Sequence, residues 1–182
     1  MHSAARATSI CATVANQLAT IDGPDLYWEE LGPLQSPPLE ESDFKKFDTY
    51  STYLAACAEH GVDLTQADIT VFAPADKACA EYISVNGPLT KAVCQYHVVK
   101  GLVASGSLGG ADLTTLEGSK ITYRRMFRKN FIDNAFCAAM SNPPRTSYKG
   151  DIKASNGLIH MINEVMYPGW SESEGFDETT RA

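Results

Sequence analysis

The side chains best suited to chemistry in this chain are four histidines, five cysteines and one cluster of bases. His97 and His160 lie inside patterned sequence, and an imidazole near neutral pH can bind a metal or move a proton. Neither belongs to a motif that would give it that work. A zinc site needs three or four ligands, and no H-x-x-x-H, H-E-x-x-H or C-x-x-C pairing occurs. A G-x-S-x-G elbow and a phosphate-cradling loop are also missing. No catalytic residue, metal or cofactor is therefore expected, and the chain reads as not an enzyme. Cys57, Cys79 and Cys94 fall among alanines and larger apolar residues, where a free thiol behaves as a small hydrophobe.

The elements that must position these residues follow from periodicity. From Asp48, a candidate N-cap, Tyr50, Leu54, Cys57 and Ala58 recur at helical spacing up to Gly61. Ile69–Phe72 are β-formers, Pro74 ends that strand, and the Asp76 carboxylate favours a helix start. Leu89, Ala92, Val93, Tyr96 and His97 share one face of a further helix. After Gly101, short glycine-punctuated segments predict strands and hairpins. Along the last strand, Leu158, His160 and Ile162 alternate with Ile159 and Met161, so His160 lies in a strand covered on both faces. A neutral, hydrogen-bonded imidazole is the expectation there.

Charge narrows the partners. The net charge of −7 argues against nucleic-acid binding, which relies on bases neutralising phosphates. The distribution is uneven: residues 118–153 carry eight bases against two acids, while residues 1–60 carry nine acids against three bases. Arg124, Arg125, Arg128 and Lys129, with Met126 and Phe127 between them, form a strip suited to an acidic partner surface. The sequence has no apolar run near the roughly 20 residues that span a bilayer, so no transmembrane segment is expected, although a partner could itself be membrane-bound.

"ITVFAPADKA" at 69–78, "YHVVKG" at 96–101 and "ASNGLIHMINEVMYP" at 154–168 together resemble the three signature segments of the fasciclin-like domain. The resemblance spans about residues 44–168. It implies an α+β fold, a single wedge or sandwich of two sheets with several helices packed around it. It also implies a use in adhesion or protein interaction, without catalysis. Pro74, Asp76, Tyr96, His97, Asn156, Gly157 and His160 then become structural motif residues, with the Tyr96–His97 pair also tied to receptor binding in the family.

The expected organisation is an extended, partner-docking arm at 1–41, a fasciclin-like domain at 42–170 able to fold without that arm, and an acidic tail at 171–182. Four prolines and the isolated aromatic pair Tyr27–Trp28 mark residues 22–41 as extended. Tyr27, Trp28, Leu31 and Leu34 are the expected anchors in a partner groove. The Ser/Thr/Ala-rich, acid-free residues 1–21 resemble a transit peptide, and N-x-[ST] is absent, which together favour a plastid over the extracellular space. The functional expectation is a non-catalytic interaction module docked into a larger assembly, with an accessory subunit of an algal photosynthetic complex as its specific form. The alternatives are a secreted adhesion domain binding a receptor or matrix and, third, a small hydrolase. The sequence leaves the oligomeric state open.

Overall fold

The computed structural model describes residues 12–24, 47–139 and 146–171. Helix α1 (Val14–Leu18) precedes α2 (Ser51–Glu59), strand β1 (Ile69–Pro74), α3 (Asp76–Asn86), α4 (Lys91–Tyr96) and β2 (Val98–Lys100). A 3₁₀ turn (Ser105–Gly110) leads to β3 (Tyr123–Met126), β4 (Lys129–Ile132), β5 (Ala135–Cys137), β6 (Ile152–Ala154) and β7 (Gly157–Ile162).

The strands form one seven-stranded sheet in the order β2-β1-β7-β5-β4-β3, with β6 also paired to β7. This corrects the expectation of two sheets. β7 is long enough to pair in parallel with β1 along one edge while its other edge serves two strands, β6 through Gly157–Ile159 and β5 at Ile162. Among the described residues the β3–β4–β5 meander joins the ladder of β7 at one register pair, Cys137 with Ile162.

β1 and β7 are the central strands, and their alternation separates two apolar clusters. Ile69, Val71, Ala73, Ile159 and Met161 face a cluster built with α1, α2, α3 and α4. Phe72 and Ile162 face the other, closed by Val99, Leu108, Leu113, Ile121, Ile132 and Cys137. Gly157 makes the parallel pairing possible, because a Cβ there would lie 2.2 Å from the Ile69 carbonyl oxygen. The expected two-sided cover of β7 is present, as is the burial of Cys57, Cys79 and Cys94. Two helix faces differ from the periodic reading. Tyr53 is buried in α2 where Ala58 is exposed, and Ala92 of α4 faces outward.

Within the stretch expected to be an extended arm, residues 12–24 are built into the domain. Thr13 caps α1, and Val14 and Leu18, one turn apart, are both buried in the helix-side cluster. The Val14 amide donates to Asn156 Oδ1 at 2.8 Å, and Ser155 N donates to the Ala12 carbonyl. Farther on, Gly23 N donates to the Asp48 carbonyl and Asp48 N donates to the Pro24 carbonyl. A five-residue helix is unstable by itself, so its formation here comes from packing and not from propensity. The anchors Tyr27, Trp28, Leu31 and Leu34 lie outside the described residues, as does the tail beyond Ser171.

The helix caps are exchanged relative to expectation. Asp48 was expected to cap α2, but its Oδ2 accepts from Lys77 N in the first turn of α3 at 2.9 Å. Asp76 was expected to start its own helix, yet its Oδ1 accepts from Thr52 N of α2 at 2.7 Å, and its Oδ2 accepts from Ser51 Oγ at 2.6 Å and from Thr49 Oγ1. Each carboxylate thus satisfies the orphan amides of the other's helix, which ties α2 to α3.

Candidate functional site

Both ring nitrogens of His97 and of His160 are hydrogen-bonded to backbone. His97, the last residue of its helical turn, is fully buried. Its Nδ1–H donates to the Val93 carbonyl at 2.8 Å, and Nε2 accepts from the Met166 amide at 3.0 Å. A carbonyl only accepts and an amide only donates, so these partners fix the neutral tautomer. Burial drives the His97 pKa down to about 4, against a smaller upward pull from the Val93 carbonyl. His160 donates from Nε2 to the Val103 carbonyl at 2.8 Å, accepts at Nδ1 from Asp151 N at 3.1 Å, and stacks on Phe72. Burial lowers its pKa too, opposed by the Val103 carbonyl and the Asp151 charge. Neither ring offers a lone pair to a metal or substrate. Among the described residues no group of three His, Cys, Asp or Glu side chains is placed to hold a metal ion.

Asp76 is likewise occupied. Burial raises its carboxyl, but the hydrogen bonds from Ser51, Thr49 and Thr52 together outweigh that and hold it below the ordinary carboxylate range. Asn156, at the β6–β7 turn, works as a three-way tie: Oδ1 accepts from Val14, and Nδ2 donates to the Leu64 and Gln66 carbonyls at 2.9 and 2.8 Å.

A polar group that sequence reasoning missed connects this interior to the basic strip. Asp133 is buried at the β4–β5 turn, with Oδ2 accepting from Tyr96 Oη at 2.7 Å and Oδ1 from Thr122 N at 2.7 Å. Burial raises its carboxyl, offset in part by Thr122, Tyr96 and Arg124. Its backbone carbonyl accepts from Arg124 Nη2 at 2.7 Å. The sequence signal was the Asp133–Asn134 pair between two apolar runs, a turn signature.

The expected basic strip divides across a hairpin and not along one edge. Arg124 pairs across from Phe131, Arg125 from Asn130, and Met126 from Lys129, with Phe127 and Arg128 forming the two-residue turn. Arg124 is held by the Asp133 carbonyl and lies over the Trp170 ring at 4.8 Å, so it belongs more to the fold than to a contact surface. Lys129 lies over Phe136, in a row that continues through Phe131 on one side and Tyr148 on the other. Arg125 is exposed, its Nη1 donating to Asn130 Oδ1 at 2.7 Å. Arg128 is exposed, and Phe127 is 84% exposed.

The mixed α+β fold carries the three signature segments on β1 with the start of α3, on the end of α4 with β2, and on β7 with the residues that flank it. The family model of the fasciclin domain matches residues 45–168, and the chain belongs to that family. Protein sll1483 of Synechocystis sp. (strain ATCC 27184 / PCC 6803 / Kazusa) is 27% identical over 135 residues, covering 66% of this chain and 68% of that protein. Among solved structures, a FAS1 domain pair from the insect cell adhesion molecule Fasciclin I matches with a TM-score of 0.43 at 14% identity. That match covers 64% of this chain and 43% of the pair, so the chain spans less than half of that protein's length. No described helix is long and apolar enough to cross a membrane.

Proposed function

We propose that this chain is a non-catalytic protein–protein interaction module docked into a larger assembly. One observation carries the reading: His97 and His160, the side chains best suited to catalysis, have both ring nitrogens engaged by buried backbone groups, while the hairpin bases Arg125 and Arg128 face outward. Docking is assigned to Tyr27, Trp28, Leu31 and Leu34, packed into a partner groove, with Arg125, Arg128 and Lys129 orienting the module against an acidic surface. An accessory subunit of an algal photosynthetic complex is the specific assembly proposed, on the transit-like composition of residues 1–21. Adhesion to a receptor through Tyr96 and His97 has less support, because both side chains are buried.

The test is recovery of the native chain with its bound partners, identified by mass spectrometry, and repetition with Tyr27 and Trp28 replaced by alanine. Partners should be lost from the variant even at low salt, since apolar anchoring is not screened. Full retention would refute the docking arm.

A further inference from the structure

The β3–β4 hairpin joins its strands by Phe127 and Arg128, at φ of 50° and 62°. Both central residues are in the left-handed region, as a type I′ turn demands, and such turns strongly favour Asn-Gly. A phenylalanine and an arginine there are costly to the fold. Strain of this kind persists where a side chain is needed for another purpose. The side chain concerned, Phe127, is 84% exposed at the apex.

The apex carries a collar of cations. In a hairpin, cross-strand partners lie on the same face and successive residues alternate. Arg125 therefore lies on one face, Met126 and Lys129 on the other, and Arg128 in the turn itself. None of Arg125, Arg128 and Lys129 forms an ion pair among the described residues. Residues 123–132 include no acid. The hairpin is anchored behind this tip, through Arg124 to Asp133 and through Asn130 Nδ2 to the Ser105 carbonyl.

We infer that this tip binds an anionic lipid surface, with Phe127 inserted among the acyl chains at the headgroup boundary and Arg125, Arg128 and Lys129 held at the headgroups. The inference rests on the interaction-module reading and specifies the acidic surface that the basic strip meets. Shape favours lipid over a folded acidic protein. A stable protein interface takes about 800 Å² from each partner, more than a two-residue apex supplies. An apolar apex with a basic collar instead matches the depth profile of a bilayer interface, apolar inside and anionic at the rim.

The experiment is cosedimentation of the full chain with vesicles of pure phosphatidylcholine and of equimolar phosphatidylcholine and phosphatidylglycerol. The informative variant is Phe127→Asn with Arg128→Gly, which installs the preferred turn pair and should raise thermal stability while removing the insert and one cation. A second variant, Phe127→Leu, keeps an apolar apex. The expected result is binding to the anionic vesicles alone, weakened about tenfold or more in the Asn-Gly variant and by much less in Phe127→Leu. Equal binding by wild type and the Asn-Gly variant, binding to pure phosphatidylcholine as strong as to the mixture, or no binding to either vesicle would overturn the inference. Failure to bind vesicles, with the Asn-Gly variant released from native partners, would assign the tip to a protein and leave the interaction-module reading standing. Retention of partners by that variant and loss of partners by the Tyr27/Trp28 variant would separate the two claims in the other direction.

Discussion

His97 offers the most quantitative check on the interior. Its folded pKa of about 4 lies below the ordinary 6.5 because the charged ring is excluded from a fully buried site. The unfolded chain therefore binds the proton more readily than the folded one, and stability rises with pH across this range. The contribution is fully present above 6.5 and is lost as pH falls from 6.5 towards 4. A gap of that size corresponds to roughly 3 kcal/mol at 25 °C. His160, also lowered by burial, acts with the same sign, so the effect of His97 must be isolated by difference. Urea denaturation of the full chain and of His97→Gln, at several pH values from 7.5 to about 4, provides that difference. The wild type should lose about 3 kcal/mol more than the variant over the interval. At pH 7 the variant should start lower by about 1–3 kcal/mol, because the Met166 amide and the Val93 carbonyl lose well-placed partners. Parallel pH slopes for the two proteins, or a His97 titration by NMR at 6.5 or above, would show that the ring is not held as described.

Further outcomes follow from single contacts. Gly157→Ala should destabilise by about 3 kcal/mol or more, since the new Cβ meets the Ile69 carbonyl and the β1–β7 pairing must shift; an unchanged melting temperature would refute that account. Asp76→Ala should cost about 1 kcal/mol through the lost α2 cap and should flatten the acid limb below the ordinary carboxylate range, where protonation of the low-pKa carboxyl removes its stabilisation in the wild type. Tyr50→Phe should be neutral or slightly stabilising by chemical denaturation, because the buried Tyr50 hydroxyl has no hydrogen-bond partner among the described residues. A fragment beginning at residue 42 should be less stable than one beginning at residue 12 by about 3 kcal/mol, the burial of Val14 and Leu18; equal stability would make α1 dispensable.

The central strands and the signature segments were legible because their signals are local. Ile69–Phe72 and Leu158–Ile162 announce buried strands by apolar residues on both faces, and the two-sided cover of His160 followed directly. What escaped the sequence depends on partners far along the chain. Asn156 holds Val14 across 142 positions, and Asp48 and Asp76 exchange caps across intervals of 29 and 24. Each carboxylate also lies beside a helix start of its own, so the local rule pointed to the wrong amides. The turn at Phe127–Arg128 contains neither glycine nor asparagine, which hid the hairpin and made four bases read as one strip. α1 is too short for a periodic signal and is stabilised by contacts that only the fold supplies.

The central claim, an interaction module resident in a larger assembly, is tested most directly by native electrophoresis of a gentle extract from the source cells, followed by detection of this chain. The chain should migrate with a particle far larger than its own 19.7 kDa, and should shift to the free position when Tyr27 and Trp28 are replaced by alanine. Migration of the wild-type chain at its own monomeric size would contradict that claim.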